Sequence, residues 1–230
     1  MKIAFLFPGQ GAQYVGMGID LYEQYPAARA IFDEAREALG SELIDVIFYG
    51  PEDKLMLTEF TQPAILTVSI AIYRVLEEFG FKAAGFAGLS LGEYSALVAA
   101  KAVKFAEALP LVQKRGIYMQ EAVPSGEGSM TALMGLGRDT VEEICRKASS
   151  EGLVAPANYN CPGQIVISGQ TAALARAVEL ASKAGAKKIS KLKVSAPFHC
   201  SLLQPVEARL AGELNKIEVS QPLTPVIYNV

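Results

Sequence analysis

Residues 83–98, AAGFAGLSLGEYSALV, contain the pattern that decides the fold. The small residues 83–88 predict a short strand, and residues 94–98 predict the start of a helix. Between them, Gly88-Leu89-Ser90-Leu91-Gly92 has the GxSxG spacing of a nucleophile elbow, a sharp turn that exposes a serine between a strand and a helix. At a helix N-terminus, the dipole and the free N–H groups would stabilise an oxyanion. The stretch therefore predicts an α/β fold with a catalytic Ser90, the structural alternative being an ordinary glycine-rich turn.

The N-terminal segment predicts a second loop at the same site. Residues 3–7 are a continuous apolar run that ends at Pro8-Gly9, as expected for a buried strand of a parallel sheet. The glycines of the next residues, PGQGAQ (8–13), suit a loop that presents N–H groups to a developing negative charge. A dinucleotide-binding fingerprint is excluded, because Tyr14 stands where the third glycine is required.

Three long helices are predicted from apolar residues at helical spacing. The first covers residues 20–39, the second has Pro63 in its first turn and ends at Gly80, and the third covers residues 104–122. The third helix carries Arg115 in an otherwise apolar stretch. Such an arginine is either a snorkelling surface group or a buried fork for a carboxylate.

The pattern of elements changes between residues 125 and 194. The order there is strand, helix, strand, strand, helix, strand, which is the ferredoxin-like unit. We therefore expect a discontinuous large α/β domain, residues 1–124 and 195–230, with a ferredoxin-like subdomain inserted at residues 125–194.

The chain contains one histidine, His199, so any imidazole acid–base chemistry depends on this residue. Ser90 followed by His199 has the chain order of the nucleophile and base of α/β-hydrolases. Cys200 is a rival nucleophile, but neighbours in sequence rarely point at each other, and Ser90 is the stronger candidate.

Composition excludes several other classes of protein. The 51% hydrophobic content of the 230 residues indicates a well-formed core, and a net charge of -3 argues against nucleic acid as the main partner. Three cysteines without a CxxC pair suggest neither a disulfide framework nor a metal site. No stretch has the pattern of a signal peptide or a membrane span, so we expect a cytoplasmic protein.

Six motifs together resemble the malonyl-CoA:acyl-carrier-protein transacylase family: FPGQGAQ (7–13), TQPA (61–64), GLSLGEYSAL (88–97), QKRGIYMQEA (113–122), NYNCPGQIVISG (158–169) and APFH (196–199). They occur in the order that the family has. The resemblance implies a hydrolase-like parallel-sheet core with a ferredoxin-like insert. The last residues, PVIYNV (225–230), resemble a point inside the family's core, so the C-terminal part of the family fold is expected to be missing.

The resemblance also implies roles for individual residues. Ser90 would be the acylated nucleophile and His199 its general base and then acid, with the backbone N–H groups of Gln10 and Leu91 as the oxyanion hole. Arg115 would bind the malonyl carboxylate. Gln62 and Asn160 would line the site, and Phe198 would favour malonyl over methylmalonyl. The chain departs from the family at Leu89, where a histidine is common.

The implied reaction transfers a malonyl group from malonyl-CoA to the pantetheine thiol of acyl carrier protein in fatty-acid synthesis, with no cofactor or metal. Four lysines near His199 are expected to steer the acidic carrier: Lys187, Lys188, Lys191 and Lys193. Alternatives are the discrete acyltransferase of a polyketide synthase or of malonate decarboxylase. More distant ones are a serine esterase or thioesterase, and a truncated, inactive carrier-binding domain.

Overall fold

The computed structural model describes every residue except Met1, Ser125, Lys193, Ser195 and Val230. The chain divides into two compact units. The first unit comprises residues 1–117 and 210–230, and the second comprises residues 118–209. The ferredoxin-like subdomain expected at residues 125–194 lies inside the second unit, whose bounds are wider at both ends.

The first unit contains a three-stranded parallel sheet in the order β1-β2-β7. Its strands are β1 (Ile3–Phe7), β2 (Ala83–Gly88) and β7 (Val226–Ile227). Phe7 pairs with Gly88, and Ala87 pairs with Ile227. Because the strands are parallel, the loops that follow them emerge at one edge of the sheet, the usual place for a site in an open α/β sheet. The predicted strands 3–7 and 83–88 are confirmed.

An aromatic cluster packs against this sheet. Phe5 and Phe86, on neighbouring strands, both contact the ring of Tyr73, with centroid distances of 5.3 and 5.4 Å in edge-to-face geometry. Phe86 is 1% exposed. Burial of a large apolar side chain contributes about 1.5–3 kcal/mol, so this cluster fixes the strands from which the site loops emerge.

The helices are α1 (Ile19–Gln24), α2 (Pro26–Leu39), α3 (Ser41–Tyr49), α4 (Glu52–Leu55), α5 (Thr58–Glu78), α6 (Gly92–Ala99), α7 (Phe105–Ala122), α8 (Arg138–Ala148), α9 (Thr171–Lys183) and α10 (Gln204–Leu214). Among the residues that the structure describes, none of these helices is long and apolar enough to cross a membrane. The predicted third helix, residues 104–122, is confirmed as α7 to within one residue.

Two helix predictions are wrong at a proline. The single helix predicted over residues 20–39 is broken at Tyr25, which has extended backbone angles (φ -120°, ψ 117°), and Pro26 starts α2 at its first position. Proline suits that position because it has no N–H to leave unpaired there. Pro63 was predicted in a first turn, but it lies inside α5, which begins at Thr58. Burial of the preceding residues, including Gln62 at 1% exposure, extends the helix beyond what the proline signal indicates.

The second unit contains an antiparallel sheet in the order β4-β5-β3-β6. Its strands are β3 (Gly128–Met134), β4 (Val154–Cys161), β5 (Gln164–Gln170) and β6 (Lys188–Lys191). With α8 between β3 and β4, and α9 between β5 and β6, this is the ferredoxin-like arrangement, so the predicted fold is confirmed. Its core is separate from that of the first unit and includes Leu133, Val141 and Ile167.

Candidate active site

Ser90 lies in the turn between β2 and α6 with a left-handed backbone, φ 53°. In the described part of the chain, only Lys101 and His199 share a positive φ among residues other than glycine. Such conformations are costly and persist where the surrounding structure enforces them. The carbonyls of Leu89 and Ser90 accept the N–H groups of Gly92 (2.9 Å) and Glu93 (3.1 Å), which begin the helix directly after the serine.

The two glycines of the GxSxG pattern are required by close packing. A Cβ on Gly88 would lie 1.9 Å from the carbonyl carbon of Gly92, and a Cβ on Gly92 would lie 2.3 Å from the carbonyl oxygen of Phe7. Any side chain would force the turn away from β1. The glycine spacing therefore sets how closely the start of α6 packs against the sheet, and with it the position of Ser90.

Arg115 extends from α7 to Ser90. Its Nη2 donates to Ser90 Oγ at 3.0 Å, and its Nη1 donates to Oε1 of Gln62, on α5, at 2.7 Å. The residue is only 8% exposed. Of the two interpretations left open by the sequence, the structure selects the buried fork, and it brings Ser90, Arg115 and Gln62 together.

Burial determines the electrostatics of this cluster. It lowers the pKa of Arg115, against the opposing effects of Tyr94 and Glu93. Burial also raises the pKa of the Tyr94 hydroxyl, whose ring centroid is 5.6 Å from the guanidinium carbon. Arginine stays charged in proteins, and no carboxylate of the described residues forms an ion pair with Arg115. A buried cation without an ion-pair partner is energetically costly, so this position favours an anionic ligand.

Gln10 and Leu91 follow β1 and β2 at the same edge of the sheet. The side-chain amide of Gln10 donates to Thr58 Oγ1 at 3.3 Å, and the side chain of Leu91 is 1% exposed. Within the described ranges, the backbone N–H of neither residue donates to another group of the protein. Free, fixed N–H groups beside a nucleophile are the requirement for an oxyanion hole.

Asn229 contacts the Ser90 turn and is a candidate site residue that the sequence did not indicate. Its Oδ1 accepts the backbone N–H of Ser90 at 2.6 Å, and its Nδ2 donates to the carbonyl of Gly88 at 2.8 Å. Its own N–H donates to the carboxylate of Glu93. The available signal was weak, since β7 has only two residues. Its position two residues beyond a parallel strand is nevertheless one where functional side chains collect.

Other predicted site residues belong to the second unit. His199 is exposed and has φ 58°, in the turn that also contains Phe198, which is 5% exposed. The adjacent Cys200 Sγ donates to the carbonyl of Pro197 at 3.2 Å. Asn160 is an exposed residue of β4 whose side-chain amide reaches Gln164 Oε1 at 3.5 Å.

Three of the four lysines in the expected carrier patch are exposed: Lys187, Lys188 and Lys191. The fourth, Lys193, lies outside the described residues. Lys188 and Lys191 are three positions apart on the edge strand β6, and strand alternation directs side chains at that spacing to opposite faces. The positive charge therefore lines an edge of the sheet and not one face.

The cysteines are free thiols in different environments. Cys145 is buried, Cys161 is exposed, and Cys200 is half-buried. Burial raises the pKa of Cys145 to about 12, so this thiol remains protonated and unreactive near neutral pH. Within the described residues, no group of three or more His, Cys, Asp and Glu side chains is arranged to hold a metal ion.

The acyl transferase domain family matches residues 4–229. The chain is 50% identical to the malonyl CoA-acyl carrier protein transacylase of Bacillus subtilis over all 230 residues, which cover 73% of that protein. The corresponding Escherichia coli K12 protein is 47% identical, with 74% covered.

Solved structures agree. The malonyl CoA-acyl carrier protein transacylase of Coxiella burnetii superposes with a TM-score of 0.97 at 48% identity, and this chain covers 73% of it. A malonyl-transacylase solved in complex with a type II polyketide synthase acyl-carrier protein has a TM-score of 0.96 at 43% identity, with 75% covered. In each case the whole of this chain is matched. The chain belongs to the acyl transferase family, in the group of the malonyl CoA-acyl carrier protein transacylases.

Proposed function

We propose that this protein transfers a malonyl group from malonyl-CoA to the pantetheine thiol of acyl carrier protein, through a malonyl ester on Ser90. The observation that carries the proposal is the guanidinium of Arg115, which is buried, forms no ion pair among the described residues, and lies 3.0 Å from Ser90 Oγ. A serine esterase needs only the elbow. A cation held beside the nucleophile favours an acyl group that carries its own carboxylate.

The carboxylate would bind to Arg115 by a bidentate, charge-assisted contact, the geometry for which a guanidinium is best suited. In the free protein, Arg115 Nη2 donates to Ser90 Oγ, while Nη1 is held by Gln62. A bound carboxylate would compete for Nη2 and release a lone pair of the serine oxygen. An acetyl group leaves the buried charge without a partner, and this difference is the basis of selectivity.

The first half-reaction acylates the enzyme. His199 is assigned the role of general base: it takes the proton of Ser90 as Oγ attacks the thioester carbonyl carbon. The N–H groups of Gln10 and Leu91 would stabilise the oxyanion, because the protein leaves both without another acceptor. The carbon–sulfur bond then breaks, and the CoA thiolate takes the proton from His199.

The second half-reaction reverses these steps with a different thiol. His199 takes the proton of the pantetheine thiol, whose sulfur attacks the malonyl-Ser90 ester. The carbon–oxygen bond to Ser90 breaks, and the serine oxygen regains a proton from His199. Both acyl carriers supply their own reactive thiol, so the proposed reaction requires no cofactor or metal, and it fits a reducing cytoplasm in which Cys145, Cys161 and Cys200 remain free.

The test is intact-mass spectrometry of the protein after incubation with malonyl-CoA. We expect one malonyl adduct on the wild type and none on Ser90→Ala. Acetyl-CoA should leave the wild type largely unmodified. Ser95→Ala is a matched control, because Ser95 is a buried serine of α6 outside the turn.

Addition of acyl carrier protein bearing its pantetheine arm should discharge the adduct and move the malonyl mass to the carrier. A malonyl adduct that persists on Ser90→Ala would disprove the nucleophile assignment. Release of free malonate at the same rate with and without carrier would instead show a thioesterase. Failure of the wild type to form an adduct would disprove the proposed activity for this chain.

A further inference from the structure

We infer that Asn229 is a positioning residue for Ser90: its side-chain amide links Gly88, at the start of the nucleophile turn, to Ser90 itself and holds the serine in its left-handed conformation. The inference rests on the proposed function, in which Ser90 is acylated. It adds a residue that does not touch the substrate and acts through the main chain of the nucleophile.

The bridge uses the full hydrogen-bonding capacity of one side chain. Asn229 Oδ1 accepts from the N–H of Ser90 at 2.6 Å, while Nδ2 donates to the carbonyl of Gly88 at 2.8 Å. A side-chain amide suits this bridge because it places an acceptor oxygen beside a donor nitrogen at neutral pH. The backbone N–H of Asn229 adds a charge-assisted contact to Glu93, in the first turn of α6. Asn229 is thereby joined to both elements that flank Ser90.

The topology explains why residue 229 is the one that reaches the turn. β7 runs parallel to β2, with Phe86 opposite Val226 and Ala87 opposite Ile227. Two residues beyond Ile227, the chain lies beside the turn that follows Gly88. Strand pairing thus delivers Asn229 to the nucleophile, although the two residues are 139 positions apart in sequence.

The bridge has two consequences for catalysis. A serine at φ 53° is in a costly conformation that needs support from its surroundings, and Asn229 provides that support at the serine itself. The bridge also occupies the N–H of Ser90, whereas the N–H of the next residue, Leu91, donates to no group of the described residues. Asn229 therefore leaves the Leu91 N–H as the free donor of this turn.

Three variants of this chain separate positioning from general stability. Asn229→Ala removes both side-chain contacts. Asn229→Asp keeps an acceptor for the Ser90 N–H but places carboxylate oxygen against the Gly88 carbonyl, so only half of the bridge remains. Tyr228→Ala is the matched control. Tyr228 is next to Asn229 in sequence, its side chain is 50% exposed, and its removal leaves the Asn229 bridge intact.

Two measurements are made on each variant: hydrogen exchange of the Ser90 amide by NMR, and the rate of malonyl-adduct formation under saturating malonyl-CoA. For Asn229→Ala we expect about tenfold faster exchange and about tenfold slower acylation, because the Ser90 N–H loses its acceptor and the loss of one such hydrogen bond corresponds to a change of roughly tenfold. The half-saturating malonyl-CoA concentration should change less than twofold, because about the same substrate contacts remain. Asn229→Asp should protect the Ser90 amide and restore part of the rate, whereas Tyr228→Ala should match the wild type.

The inference is overturned if Asn229→Ala shows the wild-type exchange rate at the Ser90 amide or the wild-type rate of acylation. Equal loss in Tyr228→Ala also overturns it, because the effect would then belong to docking of the β7 segment. If Asn229→Ala does not fold, Asn229→Asp decides: no protection of the Ser90 amide in this variant contradicts the bridge. A wild type that forms no adduct refutes the proposed function, and the exchange rates alone then decide whether Asn229 holds the turn.

Discussion

Arg115 is the residue on which the selectivity of the proposed reaction depends. Its guanidinium, carried on α7, is buried, bound to Gln62 through one nitrogen, and directed toward Ser90 with the other. A surface arginine would gain little from an anion, because water competes for both groups. At this buried position the guanidinium has already lost its favourable interaction with water. A bound carboxylate replaces that interaction.

We predict that Arg115→Ala slows malonyl transfer by about 100-fold, because a charge-assisted hydrogen bond is worth about 1.5–3 kcal/mol. Acetyl transfer should persist or improve in the same variant, since the unpaired buried charge is gone. Parallel measurement of kcat/KM for malonyl-CoA and acetyl-CoA checks the change in selectivity.

Two further variants test whether the effect belongs to the guanidinium of Arg115. Arg115→Lys should recover only part of the malonyl rate, because an ammonium group lacks the planar fork. Arg74→Ala, which removes a partly exposed arginine paired with Glu77, should leave both rates unchanged. Equal loss of malonyl and acetyl transfer in Arg115→Ala would show that the arginine is structural.

At the scale of elements, the β2–α6 turn depends on the packing of its second glycine. We predict that Gly92→Ala destabilises the protein by roughly 1–3 kcal/mol or more, the range for overpacking, because its Cβ would lie 2.3 Å from the Phe7 carbonyl oxygen. Malonyl-adduct formation should fall with it, since Ser90 is carried on the same turn. Urea denaturation of both proteins measures the change in the free energy of unfolding.

Gly212→Ala is the control for that substitution. Gly212 lies in α10, and a Cβ there would meet no atom within 4 Å. Alanine is a better helix former than glycine by about 1 kcal/mol, so this variant should be neutral or more stable. Equal destabilisation by the two substitutions would contradict the packing argument for the turn.

The lysines of β6 predict a salt-dependent interaction with an acidic carrier. We expect Lys188→Glu and Lys191→Glu together to raise the KM for acyl carrier protein by about tenfold at low ionic strength and to leave the malonyl-CoA half-reaction unchanged. Because their side chains leave opposite faces of the strand, each single variant should show about half of the combined effect in free energy. Steady-state kinetics at two salt concentrations provide the measurement.

Lys183→Glu, at the end of α9, is the matched charge reversal outside β6. A similar rise in KM there would show that net charge, and not the edge of the sheet, governs the interaction. An unchanged KM for acyl carrier protein in the β6 double variant would contradict the proposal that these lysines bind the carrier.

Local sequence signals predicted most helices and strands of both units. Features that depend on contacts between residues distant in sequence were not predicted. The ferredoxin-like order and the strand–turn–helix around Ser90 have strong periodicity and glycine spacing. The break at Pro26 was missed because apolar spacing continues across it. Asn229 was missed because its role comes from the pairing of a two-residue strand with β2, and no pattern within PVIYNV (225–230) indicates that partner.

At the scale of the whole molecule, the two units have separate hydrophobic cores. The first is built around residues such as Phe32, Leu66 and Phe86, and the second around Val141 and Ile167. Chains with more than one core commonly depart from two-state unfolding. A condition that destabilises one core should therefore unfold that unit before the other.

Cys145 supplies such a condition, because it is buried in the core of the second unit. Burial raises the pKa of its thiol from 9.0 to about 12. The neutral thiol is thus favoured in the folded state, so its contribution to stability is complete below pH 9 and is lost as the pH rises toward 12. The second unit should lose about 1 kcal/mol by roughly pH 10 and up to about 4 kcal/mol near pH 12 from this group.

Hydrogen exchange by mass spectrometry at pH 8 and pH 10 measures this loss, with peptides of α8 and β5 reporting on the second unit and peptides of α5 on the first. In Cys145→Ala the pH-dependent part of the loss should disappear from α8 and β5, even though the smaller side chain lowers stability at both pH values. Cys161→Ala, which removes an exposed thiol, should behave as the wild type. A loss of the same size in α5 would mean that the two cores unfold together, and a pH dependence that survives in Cys145→Ala would assign it to another group.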